Sequence, residues 1–556
     1  MRFERYILFL LLVLVWMPMM GQRMVILEHS ETLSFDEKKV KDAQILRGDV
    51  RFRHDSAMMY CDSAYFYDKT NSFIAFGHVR LEQGDTLFGF ADRLYYNGNS
   101  KFVKFRNNVK LIHRMTVLTT DSLNYDRTGQ LAYYFTGGNI ADTLNTLSSR
   151  WGQYHTQSSQ AVFRDSVVLT HPNFLMHADT LKYNTNSKIA DIVGPTKIDY
   201  AEQTEIFSDK GWYNTNNERS MLLNRSVIVQ EGKQSLTGDT IFYDKILGFG
   251  QVFGNMEMTD SVQKMTLSGN YGEMYEVGKH GFVTDSALMI EWSDSLAFSY
   301  LHADTLYTEE VPYLYKDSLI EVDSVYRQVR AFNNVRIFRE DVQAKCDSLV
   351  YNGRDSIITL YVDPICWSDE NQLSADSVHI YLQNNTVEHL HGIGHAFAAK
   401  QEKDTTLFGQ MTGKEIFAYL KDGQIHMVEL RGNAETIYYP TEEAHDTVPE
   451  SYVGMNRTMS SHVNFYFVDK KIHHVRFTAE TTGTLYPMDQ IPAGENELAG
   501  FFWAEQERPI VPGDIFLHPT PTPRPGFGVK SASRQSGSAK TETTKRKKKN
   551  RTNEVE

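Results

Sequence analysis

Residues His177–Ile198 read HADTLKYNTNSKIADIVGPTKI, and this phrase decides the fold because the chain repeats it. Its order is small residue, Asp, hydroxyl residue, Leu, Tyr and Asn, then a polar turn and a second apolar run. The order returns as ADRLYYN from Ala91, TDSLNYD from Thr120, SDKGWYN from Ser208 and GDTIFYD from Gly238. CDSAYFYD from Cys61, ADTLYT from Ala303, CDSLVYN from Cys346 and ADSVHIY from Ala375 follow the same plan. The aspartates are Asp62, Asp92, Asp121, Asp179, Asp209, Asp239, Asp304, Asp347 and Asp376, with early gaps of 30, 29, 58, 30 and 30 residues. The long gap holds a degenerate copy with Arg150 in the Asp place, and weaker copies carry Asn270, Lys414 and His462 there. Together they make about thirteen units, and a fixed period of this length marks a repeat architecture.

Each unit has a second half, such as FIAFGHVRL from Phe73, FVKFRNNVKLI from Phe102 or VRAFNNVRIF from Val329. Val, Ile and Phe fit a pleated, half-buried surface. The Asn, Asp, Gly and Ser between the halves bond their own backbone and tolerate positive φ, so they read as turns. Each unit is therefore two strands of about ten residues, with no long amphipathic helix in the repeats. Alternation places Asp, Leu and Tyr of the first strand on one face and the small residue on the other. The fold expected is all-β: an elongated, repetitive antiparallel stack, each unit burying its apolar face on its neighbours. At about 4.8 Å per strand, an uninterrupted body would be on the order of 125 Å long.

The 556 residues carry a formal charge of −13, which argues against nucleic acid as the main partner. Tyr6 to Trp16 is an apolar run behind Arg2 and Arg5, too short to span a membrane and of signal-peptide form. Export is therefore expected. Two polar insertions interrupt the rhythm, one from Glu309 and one from Pro440, and both read as surface loops or hinges. GENELAGFFWAEQERP from Gly494 reads as a short helix or terminal cap. These features divide the chain into a signal peptide (1–21), a first repeat block (22–308), an inserted loop or hinge (309–328), a second block (329–485), a C-terminal cap or docking segment (486–518) and a disordered basic tail (519–556). The basic run Lys545–Lys549 with Arg551 is a candidate contact for an anionic membrane surface.

No catalytic or cofactor motif stands out. The Asp ladder loses its carboxylate in four units, which a metal or acid/base array would not survive, so it reads as structural. His389, His391 and His395 have loose metal-ligand spacing, but no Cys or carboxylate completes a set, and no metal is expected. Cys61 and Cys346 hold the small-residue position of the repeat and read as buried packing residues; Cys366 is the third cysteine. The chain is not expected to be an enzyme. Leu94, Leu123, Leu181, Ile241, Leu306 and Leu349 each lie two residues after the Asp and should line one face.

The A-D-x-L-x-Y-(N/D) strand followed by an F-x-N-V return resembles the OstA-like (organic solvent tolerance) family, over roughly residues 24 to 485. That family includes the periplasmic lipopolysaccharide-transport protein LptA and the N-terminal domain of the outer-membrane translocon LptD. The resemblance implies a β-jellyroll, a V-shaped or slightly open roll whose apolar interior shelters lipid A acyl chains. It also implies copies or partners stacked end to end through edge strands, and a periplasmic or outer-membrane location. The ligand implied is lipopolysaccharide or a lipid A-like glycolipid, with other transport components as partners and end-to-end self-association as a candidate. The chain is longer than a single bridge subunit and lacks a region able to form the translocon barrel. Two other readings stay open: a structural or adhesive β-solenoid with a filled interior, and a polysaccharide-processing β-helix enzyme, for which no acid/base cluster is found.

Overall fold

The computed structural model describes residues 24–524 apart from 201–202, 293–297, 315–320, 385 and 443–450. The signal-peptide reading of 1–21 and the tail from 525 onward, with its basic run, lie outside the described residues. Among the described residues a single antiparallel sheet of 36 strands carries almost the whole chain; long strands pair with their neighbours in sequence, and strands interrupted at mid-length pair half by half, as Gly138–Ala141 does with Thr116–Asp126 and Thr146–Ser149. The strands are bent. Leu87–Asn97, for example, pairs with Ser72–Gln83 on one side and Phe102–His113 on the other, and both pairings break register at mid-strand. The break folds each long strand into two limbs, and elsewhere the two limbs are separate short strands, such as Leu131–Tyr134 and Gly138–Ala141, so the sheet forms two layers facing each other across an apolar interior. The limb holding the Leu and Tyr of the repeat is called layer A here, and the other limb layer B.

The corner explains the Asp ladder. The second strand of most units carries two consecutive left-handed residues there, such as Gly77 and His78, Asn107 and Asn108, or Gly254 and Asn255. In the register these pairs oppose a single Asp: Phe76 meets Arg93 and Val79 meets Ala91, leaving Gly77 and His78 against Asp92. This two-against-one bulge bends and twists the strand. The expectation that Asp shares a face with Leu and Tyr is corrected by it. Ala91 and Leu94 both point inward although they are three residues apart, and Asp92 is left outside. The backbone turns between them, which simple alternation cannot foresee. Outside the corner the carboxylates accept bonds from the neighbouring bulge: Asp62 from His78 (2.8 Å), Asp92 from Asn108 (2.7 Å), Asp239 from Asn255 (2.8 Å) and Asp304 from Asn334 (3.0 Å).

The Asn or Asp that closes the motif serves the opposite end. The side chains of Asp126, Asn184 and Asn214 each accept from backbone N–H groups two and three residues on, forming the tight turns at the open edge of the V.

The insertion expected as a loop or hinge at 309–328 is a paired extension of the sheet. Phe298–Leu314 and Glu321–Phe338 stay in register from Glu309 and Gln328 out to Pro312 and Val325, and after one shift pair again at Leu314 and Glu321. Val311, Val325 and Tyr326 supply strand character that the polar composition of the insertion obscured. The sheet therefore runs without interruption from one repeat block into the other. The insertion from Pro440 folds as a small two-stranded hairpin, Thr441–Glu442 with Ser451–Tyr452.

The segment after Tyr486 forms no α-helix. It carries short 3-10 turns at Met488–Gln490, Glu505–Glu507 and Pro512–Phe516 and runs back along the outer face of layer B as a strap. Two glutamines clamp its backbone. Gln410 donates to the Asn496 carbonyl (2.9 Å) and accepts from the Leu498 N–H (2.8 Å). Gln372 does the same for the Phe502 carbonyl (3.0 Å) and the Ala504 N–H (2.8 Å). Leu498 packs on Phe397, Ile437 and Met455, while Phe502 and Ala504 pack on Ile365 and Trp367. Farther along, Glu507 pairs with Lys345, Arg508 reaches Gln343, and Phe516 meets His302.

Candidate functional site

The interior between the layers is the candidate site. All six residues two places after the Asp point into it. Leu94, Leu123 and Leu181 are fully buried, and Ile241, Leu306 and Leu349 are 2 % exposed. They belong to one apolar cluster that runs from Val25 to Phe465. The layers touch directly in the first units, where Phe52 of layer B stacks on Phe73 of layer A with ring centroids 4.1 Å apart. Burying a side chain of this size stabilises by roughly 1.5–3 kcal/mol. The packed interior is thus the main source of stability as well as the candidate site.

The open edge of the V is closed in the first part of the chain by polar contacts from layer B to layer A. His54 meets Tyr96 (2.6 Å), Arg127 donates to Gln83 (2.9 Å) and His113 meets Tyr154 (2.9 Å). Lys101 pairs with Asp55 (2.7 Å) and Lys188 with Asp142 (2.8 Å). Glu218 accepts from both Asn173 (2.6 Å) and Tyr200 (2.9 Å). Burial pushes the Asp142 carboxyl up, but bonds from Lys188, the Leu144 N–H and Tyr183 outweigh it and hold it below the ordinary value. Burial holds the His113 and His171 imidazoles below theirs.

From about Ile206 onward the interior is less closed. Ile206, Ile228, Leu236 and Met258 pack on the cluster but stay partly exposed at the edge. Met274 points inward beside Gly250 and Gly281 and is 40 % exposed. In the second block Met411, Ile425, Phe467 and Ile472 are also partly exposed, and they line a cavity of about 120 Å³ together with Leu390, Ile416 and Val428. Lys470 and Asp369 pair at its rim (3.0 Å), both well exposed to solvent.

The histidines of EHLHGIGH are split by the fold. His395 sits at a corner and contacts Asp376 (3.0 Å), whereas His389 stacks on Tyr381 and His391 on Phe417. Among the described residues no three His, Cys, Asp or Glu are placed to hold a metal ion. Cys61, Cys346 and Cys366 are buried free thiols, and burial pushes Cys61 and Cys366 up to about 12. Sequence reasoning missed the contacts across the edge. Apart from Tyr200 with Glu218, they join residues 41 to 46 apart, about one and a half repeats, and that spacing was the available signal.

The OstA-like protein family matches two overlapping stretches of the chain, residues 22–179 and 167–295. Through residues 22–295 the chain belongs to the OstA-like family. Among solved structures, the OstA-like chain is similar to LptH, the LptA-homologous periplasmic component of the lipopolysaccharide transport device of Pseudomonas aeruginosa. The identity is 12%, the similarity covers 27% of this chain and 96% of that one, and the TM-score is 0.21. No curated protein matches the chain. The OstA-like match ends at residue 295, while the same sheet continues by strand pairing as far as Tyr486.

Proposed function

We propose that this OstA-like protein is an exported, periplasmic lipid-binding bridge or scaffold that serves lipopolysaccharide transport and outer-membrane assembly. It shelters acyl chains between its two layers and does no chemistry of its own. The observation that carries this reading is the run of inward apolar side chains left partly exposed at the open edge, among them Ile228, Met258, Met411 and Phe467. Every acyl methylene taken out of water there stabilises the complex by about 0.8 kcal/mol. Membership of the OstA-like family and the periplasmic role of LptH support the same reading.

Partners would dock on the two ends. The first edge strands, Ile26–His29 and Thr32–Phe35, leave Ile26, Leu33 and Phe35 exposed, and the last, Lys471–Thr478 and Thr482–Tyr486, are also largely exposed. Unpaired edges template pairing with another chain. Like copies or other transport components would use them. A structural solenoid with a filled interior is the second reading, and it is favoured by the complete burial of Leu94, Leu123 and Leu181.

Binding of fluorescently labelled lipopolysaccharide to the purified mature protein separates the two. Saturable binding, weakened at least tenfold by Ile425→Asp in a folded variant, supports the bridge. Absence of binding to the wild-type protein supports the filled solenoid.

A further inference from the structure

We infer that the interior is divided, so that acyl chains are held only beyond about Ile206, chiefly in the laterally open groove of the second block, while residues 42–205 form a filled arm that passes none. This rests on the lipid-binding reading above and locates the site within it. The arm is shut in two ways. Its inward side chains are buried, with Phe52, Phe105, Phe163 and Leu181 at 1 % exposure or less. Its edge is held by contacts that are themselves sheltered: the Asp142 side chain is 2 % exposed where Lys188 meets it, and His54 is 1 % exposed where it meets Tyr96. A chain sliding through would have to displace packed rings and break these contacts one after another. Each would leave a buried polar group without a partner.

The second block lacks that closure. Lys470 and Asp369 span its rim with side chains 50 % and 39 % exposed, and an ion pair so placed is weak in water. Behind it the walls are Leu390, Met411, Ile416, Ile425, Phe467 and Ile472. These walls are the faces of a sheet whose backbone groups are bonded to neighbouring strands along the ladder. Polar side chains, among them Asp369, Glu370, Asn371 and Lys400, also line the site, but against the apolar walls a peptide would find few partners for its own amide groups, and a sugar few for its hydroxyls. The occupant that fits is a hydrocarbon chain, which has no polar groups to satisfy. It would enter sideways through the open edge, leaving a polar headgroup at the rim.

The strap is consistent with this division of labour. It braces layer B from outside, through Gln372 and Gln410, in the same units where the Lys470–Asp369 contact across the edge is exposed to solvent. In the arm the two layers hold each other; in the second block the outer strap takes over, and the interior is left free for a ligand.

Photo-crosslinking with the full mature protein and purified lipopolysaccharide tests this. p-Benzoylphenylalanine is placed singly at Phe163 in the arm and at Met411 and Phe467 in the groove, and circular dichroism checks each fold. Adducts at Met411 and Phe467 with none at Phe163 are expected. Because a bulky probe at Phe163 strains the packing around it, Tyr96→Phe with Tyr154→Phe provides a second test: loosening these contacts should leave affinity within twofold of wild type. Adducts at Phe163 comparable to those at Met411, or an affinity changed more than tenfold by the double substitution, would overturn the division. No adduct at any of the three positions would overturn the lipid-binding reading itself.

Discussion

His113 Nδ1 lies 2.9 Å from Tyr154 Oη, joining the end of one layer to the end of the other, and both side chains are buried. Contacts of this kind set how firmly the first units close. Tyr154→Phe keeps the ring and removes only the hydroxyl, leaving His113 without that partner. A loss of about 1–2 kcal/mol is expected. Urea denaturation followed by tyrosine or tryptophan fluorescence measures it, and the m-value should be unchanged.

Acid should weaken the same region. Burial places the folded-state values of His113 and His171 below the ordinary 6.5. As pH falls through 6.5 the unfolded chain therefore binds more protons than the folded one. The stability these histidines confer is full above that value and is lost as pH drops towards their folded values. Melting temperature should decline between about pH 7 and about pH 5.5, and His113→Gln with His171→Gln should make that slope shallower. An unchanged slope would mean that other groups govern the acid response.

At the corners the backbone matters more than the carboxylate. Asp239 accepts from Asn255 at an exposed site, so Asp239→Ala should cost only about 0.5–1.5 kcal/mol. Gly254, at φ +72°, lies against the same carboxylate, and a Cβ there would collide with it. Gly254→Ala combines backbone strain with that collision and should cost about 1–3 kcal/mol. Chemical denaturation of the two single variants gives the ranking directly.

The strap should be separable from the sheet. Gln372→Ala with Gln410→Ala removes four bonds to its backbone and leaves the buried strap amides unpaired. Limited trypsin digestion should then cut at Arg508 far sooner than in the wild type, while the repeat body survives. Equal cleavage rates would show that the apolar contacts of Leu498 and Phe502 hold the strap on their own.

The repeat made much of this fold readable. The Asp spacing gave the hairpins and their order, and the apolar position two residues later gave the inward face, because both follow from local pattern. What escaped depended on contacts distant in sequence or on bends in the backbone. Asp92 lies outside its expected face because a bulge turns the strand between Ala91 and Leu94. The strap was hidden because Gln372 and Gln410 look like ordinary surface residues until the segment from Asn496 to Ala504 lies over them. Which stretch of interior is shut and which is open was also not legible. Leu181 and Leu349 hold the same repeat position, and only the residues that meet across the edge separate the units around them.

The central claim is that this chain carries lipid between its layers, and crosslinking in living cells tests it most directly. p-Benzoylphenylalanine at Met411, irradiated in the native host during growth, should give a covalent adduct detected by antibodies to both the protein and lipopolysaccharide. The same probe at Lys182, on the outer face, should give none. A folded, exported protein that yields no lipopolysaccharide adduct from Met411, Ile425 or Phe467 would contradict the account.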